Sequence, residues 1–336
     1  MLNWGIIGTG RIAGTFIRAL QAGASGRPLI VPGRDPERTR RFAAEHNVPE
    51  STANLRVLLL DPRIDAVYIA TPHVSHAELS IAALKMGKPV LCEKPMALDP
   101  QSLDAVLDES RRSGRLFLEG YIYRWHPQTA KLIELLQAGV IGEIHLIESA
   151  FGFAAKYDPA DRLFDPALGG GAIWDVGGYP LSMAMLVAGT ALGRNPGNPD
   201  RFSAGGVTAP GNIDLTSCAI AVWGGRIVAQ LSCSIGATVG AFLRIHGSQG
   251  RIIVPNPWVC NRTDPEDGVI RIERESGCGE IRVPADRTSF CYEADGFARL
   301  LESGAREAVS APFSVAESRV LGRLLKQWTE AVSGQG

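Results

Sequence analysis

Two segments of the sequence carry side chains suited to proton transfer. Val90-Leu-Cys-Glu-Lys-Pro95 places Lys94 at the end of an apolar, strand-like run, and the next position is fixed by proline. Asp175-Val-Gly-Gly-Tyr179 places a carboxylate and a phenol four residues apart, a spacing that puts both on one face of a helix. A cation near a phenol favours its ionised form, and a phenol close to ionisation can pass on a proton. The two segments together predict an acid–base centre.

A glycine-rich turn near the N-terminus predicts dinucleotide binding. Gly8-x-Gly10-x-x-Ala13 follows the apolar run Trp4–Gly8 and opens an amphipathic helical pattern. In that setting Gly8 permits a tight turn, Gly10 lets a pyrophosphate approach the backbone, and Ala13 permits close packing of helix on strand. The N-terminus of the helix favours the negative charge. The alternative is an ordinary turn between a strand and a helix.

The end of the second strand indicates which dinucleotide is bound. An acidic residue there suits the ribose hydroxyls of NAD, whereas arginine suits the 2′-phosphate of NADP. The chain has Val31-Pro-Gly-Arg34-Asp35, in which Gly33 leaves room, Arg34 offers a forked donor and Asp35 is a helix N-cap. Arg38 could be a second contact, although some of the neighbouring arginines must form a solvated helix face. We therefore expect NADP(H) to be preferred, with NAD(H) as the other nicotinamide cofactor that the turn could accept.

A third segment, Thr71-Pro72-His73-x-x-His76, follows the strand Ala66–Ala70 at the carboxyl edge of the sheet, where ligands bind in such folds. We expect Thr71 and Pro72 to line the nicotinamide-ribose side, and His76 to orient the loop rather than to catalyse. The predicted cofactor-binding residues are Gly8, Thr9, Gly10, Arg11, Ile12, Arg34, Arg38, Thr71, Pro72, His76, Glu93 and Lys94.

Composition excludes several classes of function. The formal net charge of −1 gives no reason to expect a nucleic acid or an anionic membrane as a partner. The six cysteines include no Cys-x-x-Cys pair, which argues against a disulfide framework or a zinc site, so we expect no metal. No signal segment precedes the first strand, and no apolar run reaches the ~18 residues that span a bilayer. We expect a cytoplasmic protein.

The order of elements predicts two domains. Up to residue 120, short apolar runs alternate with amphipathic segments, as in a doubly wound parallel Rossmann sheet of the α/β class. Beyond it, hairpin signals such as Gly224-Gly225 predict an α+β domain with an open, mostly antiparallel sheet. We therefore predict a dinucleotide-binding domain over 1–120 and a substrate-binding and oligomerisation domain over 121–336. The Gly-, Pro- and Asn-rich segment 190–213 is interpreted as a long loop.

These motifs resemble one known family. Glu93-Lys94-Pro95 after a strand, the glycine turn, and Gly169-Gly-Gly-Ala-x-x-Asp175-x-Gly-x-Tyr179 are similar to the Gfo/Idh/MocA oxidoreductases, over essentially the whole chain. Many members have histidine where this chain has Tyr179. The tyrosine, and Tyr123-Arg124-x-His126-Pro127, resemble the branch that contains dimeric dihydrodiol dehydrogenases and sugar dehydrogenases and reductases.

The resemblance implies an NADP(H)-dependent enzyme that moves a hydride between nicotinamide and a secondary alcohol, hemiacetal or ketone of a sugar, sugar derivative or cyclic diol. It implies Tyr179 and Lys94 as the proton shuttle, Asp175 as an orienting carboxylate, a cis Lys94–Pro95 bond, and a homodimer or homotetramer formed through the C-terminal sheet. Tyr179 as a core tyrosine and Asp175 as a helix cap are the structural alternatives. The expected substrate contacts are Lys94, Tyr121, Arg124, Phe153, Trp174, Asp175 and Tyr179.

Two other functions fit the same residues. Reduction of a nucleotide-linked keto sugar would show itself as affinity for a nucleoside diphosphate outside the cofactor site. A non-catalytic regulator that senses NADP is the other, because fold does not fix function. Such relatives usually lose the lysine or the tyrosine or histidine, and this chain has both Lys94 and Tyr179.

Overall fold

The structure is a computed structural model that describes residues 1–23, 25–258, 264–305 and 315–334. The chain forms two compact units. Met1–Trp125 and the described part of Arg287–Ser318 belong to the first unit, and most of the residues between them belong to the second. The predicted division by function at residue 120 stays a prediction.

The first unit is built on a six-stranded parallel sheet with the order β3-β2-β1-β4-β5-β6. The order reverses between β1 and β4, which creates the crevice where such sheets bind ligands. Its strands are β1 Leu2–Ile7, β2 Gly26–Pro32, β3 Glu50–Thr52, β4 Ala66–Ile69, β5 Val90–Glu93 and β6 Phe117–Gly120. Its helices include α1 Arg11–Ala22, α2 Pro36–Glu45, α3 Leu55–Leu60, α4 His76–Lys85, α5 Pro100–Ser113 and α8 Ser289–Glu302.

Side chains that alternate along the strands build a core on each face of this sheet. Tyr68 belongs to a cluster with α1, α2 and α8, whereas its neighbours Val67 and Ile69 belong to a cluster with α3, α4 and α5. Successive strand residues point to opposite faces, so both faces are covered. This explains why the strands read as continuous apolar runs.

The second unit is built on an eight-stranded sheet with the order β14-β13-β12-β11-β7-β10-β9-β8. All neighbours are antiparallel except β7 and β10, so the predicted mostly antiparallel sheet is confirmed. Helix α7 packs on β7 and β10. The strands are β7 Ile144–Ala154, β8 Arg201–Ala209, β9 Ile213–Trp223, β10 Ile227–Ser234, β11 Gly236–Gly247, β12 Gly250–Val254, β13 Gly268–Arg274 and β14 Gly277–Val283. The remaining helices are α6 Pro127–Gln137, α7 Gly178–Leu192 and α9 Val315–Ser333.

Three elements differ from the sequence prediction. The segment 190–213 is not a long loop, because α7 runs to Leu192 and Arg201–Ala209 forms β8, an edge strand. Six of its nine residues are exposed, so it lacks the apolar run that marks a strand. The short β3 and α3 were not predicted, and β3 has only three residues. Among the described residues, no helix is long and apolar enough to cross a membrane.

Candidate active site

The turn after β1 has the geometry of a dinucleotide cradle. Gly8 has φ +129°, and a Cβ there would lie 2.4 Å from the Ala70 carbonyl oxygen, so only glycine fits. Gly10 is the N-cap of α1, and a Cβ on it would meet nothing within 4 Å. No side chain caps the first amides of α1, and its first turn carries no acid. The open space and free amides fit a pyrophosphate.

The other predicted residues of this turn lie around the cradle. Ala13 is fully buried against the core, as close packing of α1 on the sheet requires. Thr9 and Ile12 are partly buried, whereas Arg11 is exposed. The Thr9 carbonyl accepts a hydrogen bond of 3.4 Å from Arg38 Nη2, so Arg38 reaches back over the turn.

The end of β2 presents arginines to solvent. Arg34 and Arg38 are exposed, and the Asp35 carboxylate caps α2 by accepting from the amides of Glu37 and Arg38 at 3.0 and 3.1 Å. The N-cap interpretation of Asp35 is therefore confirmed. Arg40 pairs with Glu37 on the exposed face of α2 and is surface charge.

Gly33 is required by the packing of α2 against the end of β2. A Cβ at this position would lie 2.0 Å from Thr39 Oγ1, and Thr39 is buried. The glycine thus admits the first turn of α2 against the end of β2. That it also leaves room for a phosphate stays a prediction.

His76 connects two loops at the carboxyl edge of the sheet. It is 1% exposed, and its Nδ1 and Nε2 lie 2.8 Å from the carbonyl oxygens of Pro95 and Thr71 respectively. Burial lowers the pKa of His76, against the raising effect of the two carbonyls. The orienting role predicted for His76 agrees with this geometry. Thr71 is partly buried and accepts from Ser75 Oγ at 2.7 Å, and Pro72 is exposed.

The Glu93-Lys94-Pro95 turn follows β5, and its Lys94–Pro95 bond is cis, as the resemblance implied. Glu93 Oε1 accepts a 2.5 Å hydrogen bond from the Tyr68 hydroxyl. Glu93 and Lys94 are both partly buried, which is consistent with side chains at the rim of a site. Lys94 acts electrostatically on both His76 and Glu119.

Glu119 on β6 is a site residue that sequence reasoning missed. It is 6% exposed, and its Oε1 accepts from the Met96 amide at 3.0 Å, which anchors the backbone two residues after Lys94. Burial raises the pKa of Glu119 to about 7, against the lowering effect of the Met96 amide, Ser318 and Lys94. The signal for it was an acid inside the apolar strand Phe-Leu-Glu-Gly.

Tyr121 and Arg124 are more buried than expected of substrate contacts. Tyr121 is 1% exposed and its ring lies edge-on to Tyr123, with centroids 6.3 Å apart. Arg124 is 4% exposed and its Nε donates to the Tyr123 hydroxyl at 2.9 Å. Packing in the core therefore accounts for most of both side chains.

The second unit carries the other predicted catalytic residues. Ile173–Gly177 is a π-helix that contains Asp175, and Tyr179 lies in the first turn of α7 that follows. The single α-helix assumed for their spacing is therefore wrong in detail, and a π-turn of this kind is frequent at functional sites. Asp175 is not a helix cap, because the N-caps of the π-helix and of α7 are Ala172 and Gly177. Its Oδ1 accepts from Arg162 Nη1 at 3.1 Å.

Tyr179 belongs to an aromatic cluster. It is 6% exposed, and its ring packs edge-on against Phe151 and Trp258 with centroids 5.2 and 5.4 Å away. Such packing fixes the direction of the phenol. The neighbouring Trp174 is 7% exposed, whereas Phe153 on β7 is 36% exposed.

Asp214 on β9, which sequence reasoning also missed, anchors the start of this segment. Its Oδ2 accepts from the Ile173 amide at 2.7 Å, and the Ala172 amide also bonds to it. Gly171 has φ +112°, and a Cβ there would lie 2.1 Å from Asp214 Oδ1, which explains the third glycine of Gly169-Gly-Gly. Burial raises the pKa of Asp214 to about 7 despite these amides.

The doubly wound sheet, the glycine cradle and the lysine after β5 define a nicotinamide-dinucleotide-dependent oxidoreductase with a second, mostly antiparallel unit. The oxidoreductase family with an NAD-binding Rossmann fold, GFO_IDH_MocA, matches residues 2–121, and the GFO/IDH/MocA C-terminal domain matches residues 129–253. The chain belongs to the Gfo/Idh/MocA family of oxidoreductases, and it binds a nicotinamide dinucleotide in its first unit.

Individual relatives span nearly the whole chain. An uncharacterized oxidoreductase of Rhizobium meliloti is 30% identical over 96% of this chain and 95% of its own length. Trans-1,2-dihydrobenzene-1,2-diol dehydrogenase of Sus scrofa is 27% identical over 98% and 97%. KijD10, a 3-ketoreductase from Actinomadura kijaniata solved with NADP and TDP-benzene, is 26% identical over 98% and 96%, with a TM-score of 0.82.

Proposed function

We propose that the protein is an NADP(H)-dependent oxidoreductase that transfers a hydride between nicotinamide and a carbon bearing oxygen in a sugar, sugar derivative or cyclic diol. The Glu93-Lys94-Pro95 turn supports this proposal, because its lysine directly follows β5 at the carboxyl edge of the sheet, where such sheets bind ligands. The activities named for the Sus scrofa and Actinomadura kijaniata relatives support the substrate class. The exposed arginines Arg34 and Arg38 support the 2′-phosphate.

The cofactor supplies the hydride acceptor or donor, and the protein must handle the proton of the substrate hydroxyl. In oxidation Tyr179 takes that proton, and in reduction it returns the proton to the developing alkoxide. Lys94 donates a hydrogen bond to the reacting oxygen. A free phenol has a pKa of about 10 and is a poor base near neutral pH, so a nearby lysine cation helps by favouring the ionised form of Tyr179. Asp175, held by Arg162, orients the substrate hydroxyls. Trp174, Phe153, Tyr121 and Arg124 remain the predicted walls of the substrate site.

A nucleotide-linked keto sugar is the second candidate substrate. Tyr157 is 48% exposed on the segment after β7, and its ring lies edge-on to Phe164 with centroids 5.0 Å apart. A half-exposed aromatic ring, with the exposed Lys156 beside it, suits a base and a diphosphate. Inhibition of turnover by TDP that excess NADPH does not relieve would favour this substrate.

We infer self-association through the sheet of the second unit, as a homodimer or homotetramer. Val207 on β8 and Ile220 on β9 are 61% and 50% exposed on adjacent strands. Apolar side chains on an extended strand surface are typical of interfaces. Sedimentation equilibrium measures the oligomeric state directly.

The first experiment follows absorbance at 340 nm with NADP⁺ or NADPH, and with NAD(H) in parallel, against aldoses, polyols, keto sugars and dihydrodiols. Turnover with NADP(H) and one chemical class is the expected result. Lys94→Ala and Tyr179→Phe should each lower kcat at least ~100-fold, a typical contribution of acid–base catalysis. Both variants should bind NADPH with nearly unchanged affinity.

Three outcomes contradict parts of this proposal. Near-normal turnover in Tyr179→Phe would transfer the proton to Lys94 or to water. No turnover, together with tight NADPH binding, would favour the alternative that the protein is a non-catalytic regulator that senses NADP. No binding of either nucleotide would contradict the dinucleotide cradle itself.

A further inference from the structure

A buried glutamate that the proposed mechanism does not use lies beneath the Glu93-Lys94-Pro95 turn. Glu293 on α8 is 0% exposed, and neither of its carboxylate oxygens has a hydrogen-bond partner among the described residues. It faces the end of β6, because a Cβ on Gly120 would lie 3.5 Å from its Oε1. A buried polar group without a partner is rare and asks for a reason.

The charged group that acts on Glu293 is Glu93, the first residue of the motif. Glu93 is the better supported of the two acids, since it is only partly buried and Tyr68 donates to it at 2.5 Å. Tyr68 is fully buried and stacks on Phe16 with centroids 3.7 Å apart, so its single proton is committed to Glu93. Two carboxyls thus lie within electrostatic reach of each other, and the Tyr68 hydroxyl donates to Glu93 and not to Glu293.

Within the described residues, the charged groups on α8 and on the elements packed against it that are named next have partners or face solvent. On α8 itself Asp295 pairs with Arg287. On the 3₁₀ turn Ile122–Trp125, Arg124 donates to the Tyr123 hydroxyl. On α1, Arg11 and Arg18 are exposed, and on β2, Arg27 bonds to Asn3. Burial first, and then the charge of Glu93, raise the pKa of Glu293 well above its ordinary value.

A negative charge on Glu293 would therefore be buried without a donor and next to a second carboxylate, so the proton stays on Glu293 while Glu93 is ionised. The pair carries one proton and one negative charge. Like-charged carboxyls in one site titrate as a pair, and any cation brought close to them weakens their hold on that proton.

We propose that Glu93 and Glu293 form a proton-storing pair, which releases its proton when the oxidised dinucleotide binds and keeps it when the reduced dinucleotide binds. The inference rests on the proposed function, because it needs the nicotinamide to lie at the β4–β6 half of the crevice. The oxidised ring is a cation and the reduced ring is neutral. On binding of the cation the Glu293 O–H bond breaks, the proton leaves to solvent, and the positive ring offsets the second negative charge that the pair then carries.

Isothermal titration calorimetry tests this in two buffers of different ionisation enthalpy. NADP⁺ and NADPH are each titrated into the full chain at the same pH, and the dependence of the heat on the buffer gives the protons released. Both ligands carry the same 2′-phosphate, so its ionisation cancels in the comparison. We expect NADP⁺ to release about one proton more than NADPH near neutral pH.

Glu293→Gln keeps the size of the side chain and cannot ionise, so the difference between the two ligands should vanish while both still bind. Glu109→Gln is the matched control, because Glu109 is a buried acid that pairs with Arg112 on α5, and it should keep the difference. Equal proton release for NADP⁺ and NADPH in the unmodified protein would overturn the proposal. A difference that persists in Glu293→Gln would overturn it too.

Tyr68→Phe decides the question if Glu293→Gln does not fold. Loss of the donor to Glu93 disfavours the ionised pair, so the pH at which the extra proton is released should rise. An unchanged pH dependence would refute the pair. Failure of either nucleotide to bind the unmodified protein would instead contradict the proposed function, and the two failures are therefore distinguishable.

Discussion

Asp214→Asn is expected to change the pH dependence of stability in a defined direction. The carboxyl is 4% exposed and bonds to the Ile173 and Ala172 amides, yet burial raises its pKa from 3.8 to about 7. The folded protein therefore binds a proton that the unfolded chain has lost at the same pH. The stability that this proton contributes is fully present below about pH 3.8 and is lost as the pH rises through about 7.

The size of the effect follows from the displacement of the pKa. A shift from 3.8 to about 7, at about 1.4 kcal/mol per pH unit, corresponds to about 4 kcal/mol. Asparagine does not titrate. The stability of the unmodified protein relative to Asp214→Asn should thus fall by about this amount between pH 4 and pH 8.

Urea unfolding of both proteins across that range, followed by tryptophan fluorescence, measures the difference. All other titrating groups are common to both proteins and cancel in the comparison. A difference in unfolding free energy that is flat with pH, or that grows as the pH rises, would refute the argument that burial dominates over the two amide bonds at Asp214.

Three further predictions concern the cofactor cradle and one helix cap. Arg34→Ala should lower the ratio of NADP to NAD affinity at least ~10-fold, because it removes a charge-assisted hydrogen bond to the 2′-phosphate. Arg40→Ala removes only a partner of Glu37 and should leave this ratio unchanged. Fluorescence titration measures both affinities. Gly8→Ala should destabilise the protein by ~1–3 kcal/mol because of its contact with the Ala70 carbonyl, whereas Gly10→Ala should keep the melting temperature and weaken dinucleotide binding. Burial lowers the pKa of His126 to about 4, and its Nδ1 caps α6 by accepting a hydrogen bond from the Gln128 amide. The stability that the neutral ring contributes to the folded protein is therefore present above about pH 6.5 and is lost as the pH falls through about 4. His126→Asn keeps a capping acceptor and should remove this loss, which melting temperatures between pH 7 and pH 4 would show.

Features that depend on neighbours in the sequence could be predicted from it. The cradle around Gly8 and the Asp35 cap each involve residues a few positions apart, and the alternation of apolar runs with amphipathic segments predicted a doubly wound parallel sheet. The strands of the second unit were harder to predict, because the exposed edge strand β8 has few apolar residues that would mark it as a strand.

Features that depend on distant segments were missed for a physical reason. Asp214 accepts a hydrogen bond from the Ile173 amide, 41 residues away in the sequence. Glu119 accepts one from the Met96 amide, 23 residues away. Glu293 lies still further along the chain from Glu93. Each of these three residues is an isolated acid in an apolar segment. Only the folded structure shows which backbone amide, or which second carboxylate, lies next to it.

The position of His76 has a consequence for redesign of this enzyme. One imidazole lies 2.8 Å from the carbonyl of Thr71 and 2.8 Å from that of Pro95, so two loops that are separate in sequence share one support. Neither loop is an independent module. A graft that exchanges residues 71–76 with those of a relative must also bring residues 93–96 from the same relative. Otherwise the contact between His76 and the Pro95 carbonyl will be lost, and the position of Lys94 will change with it.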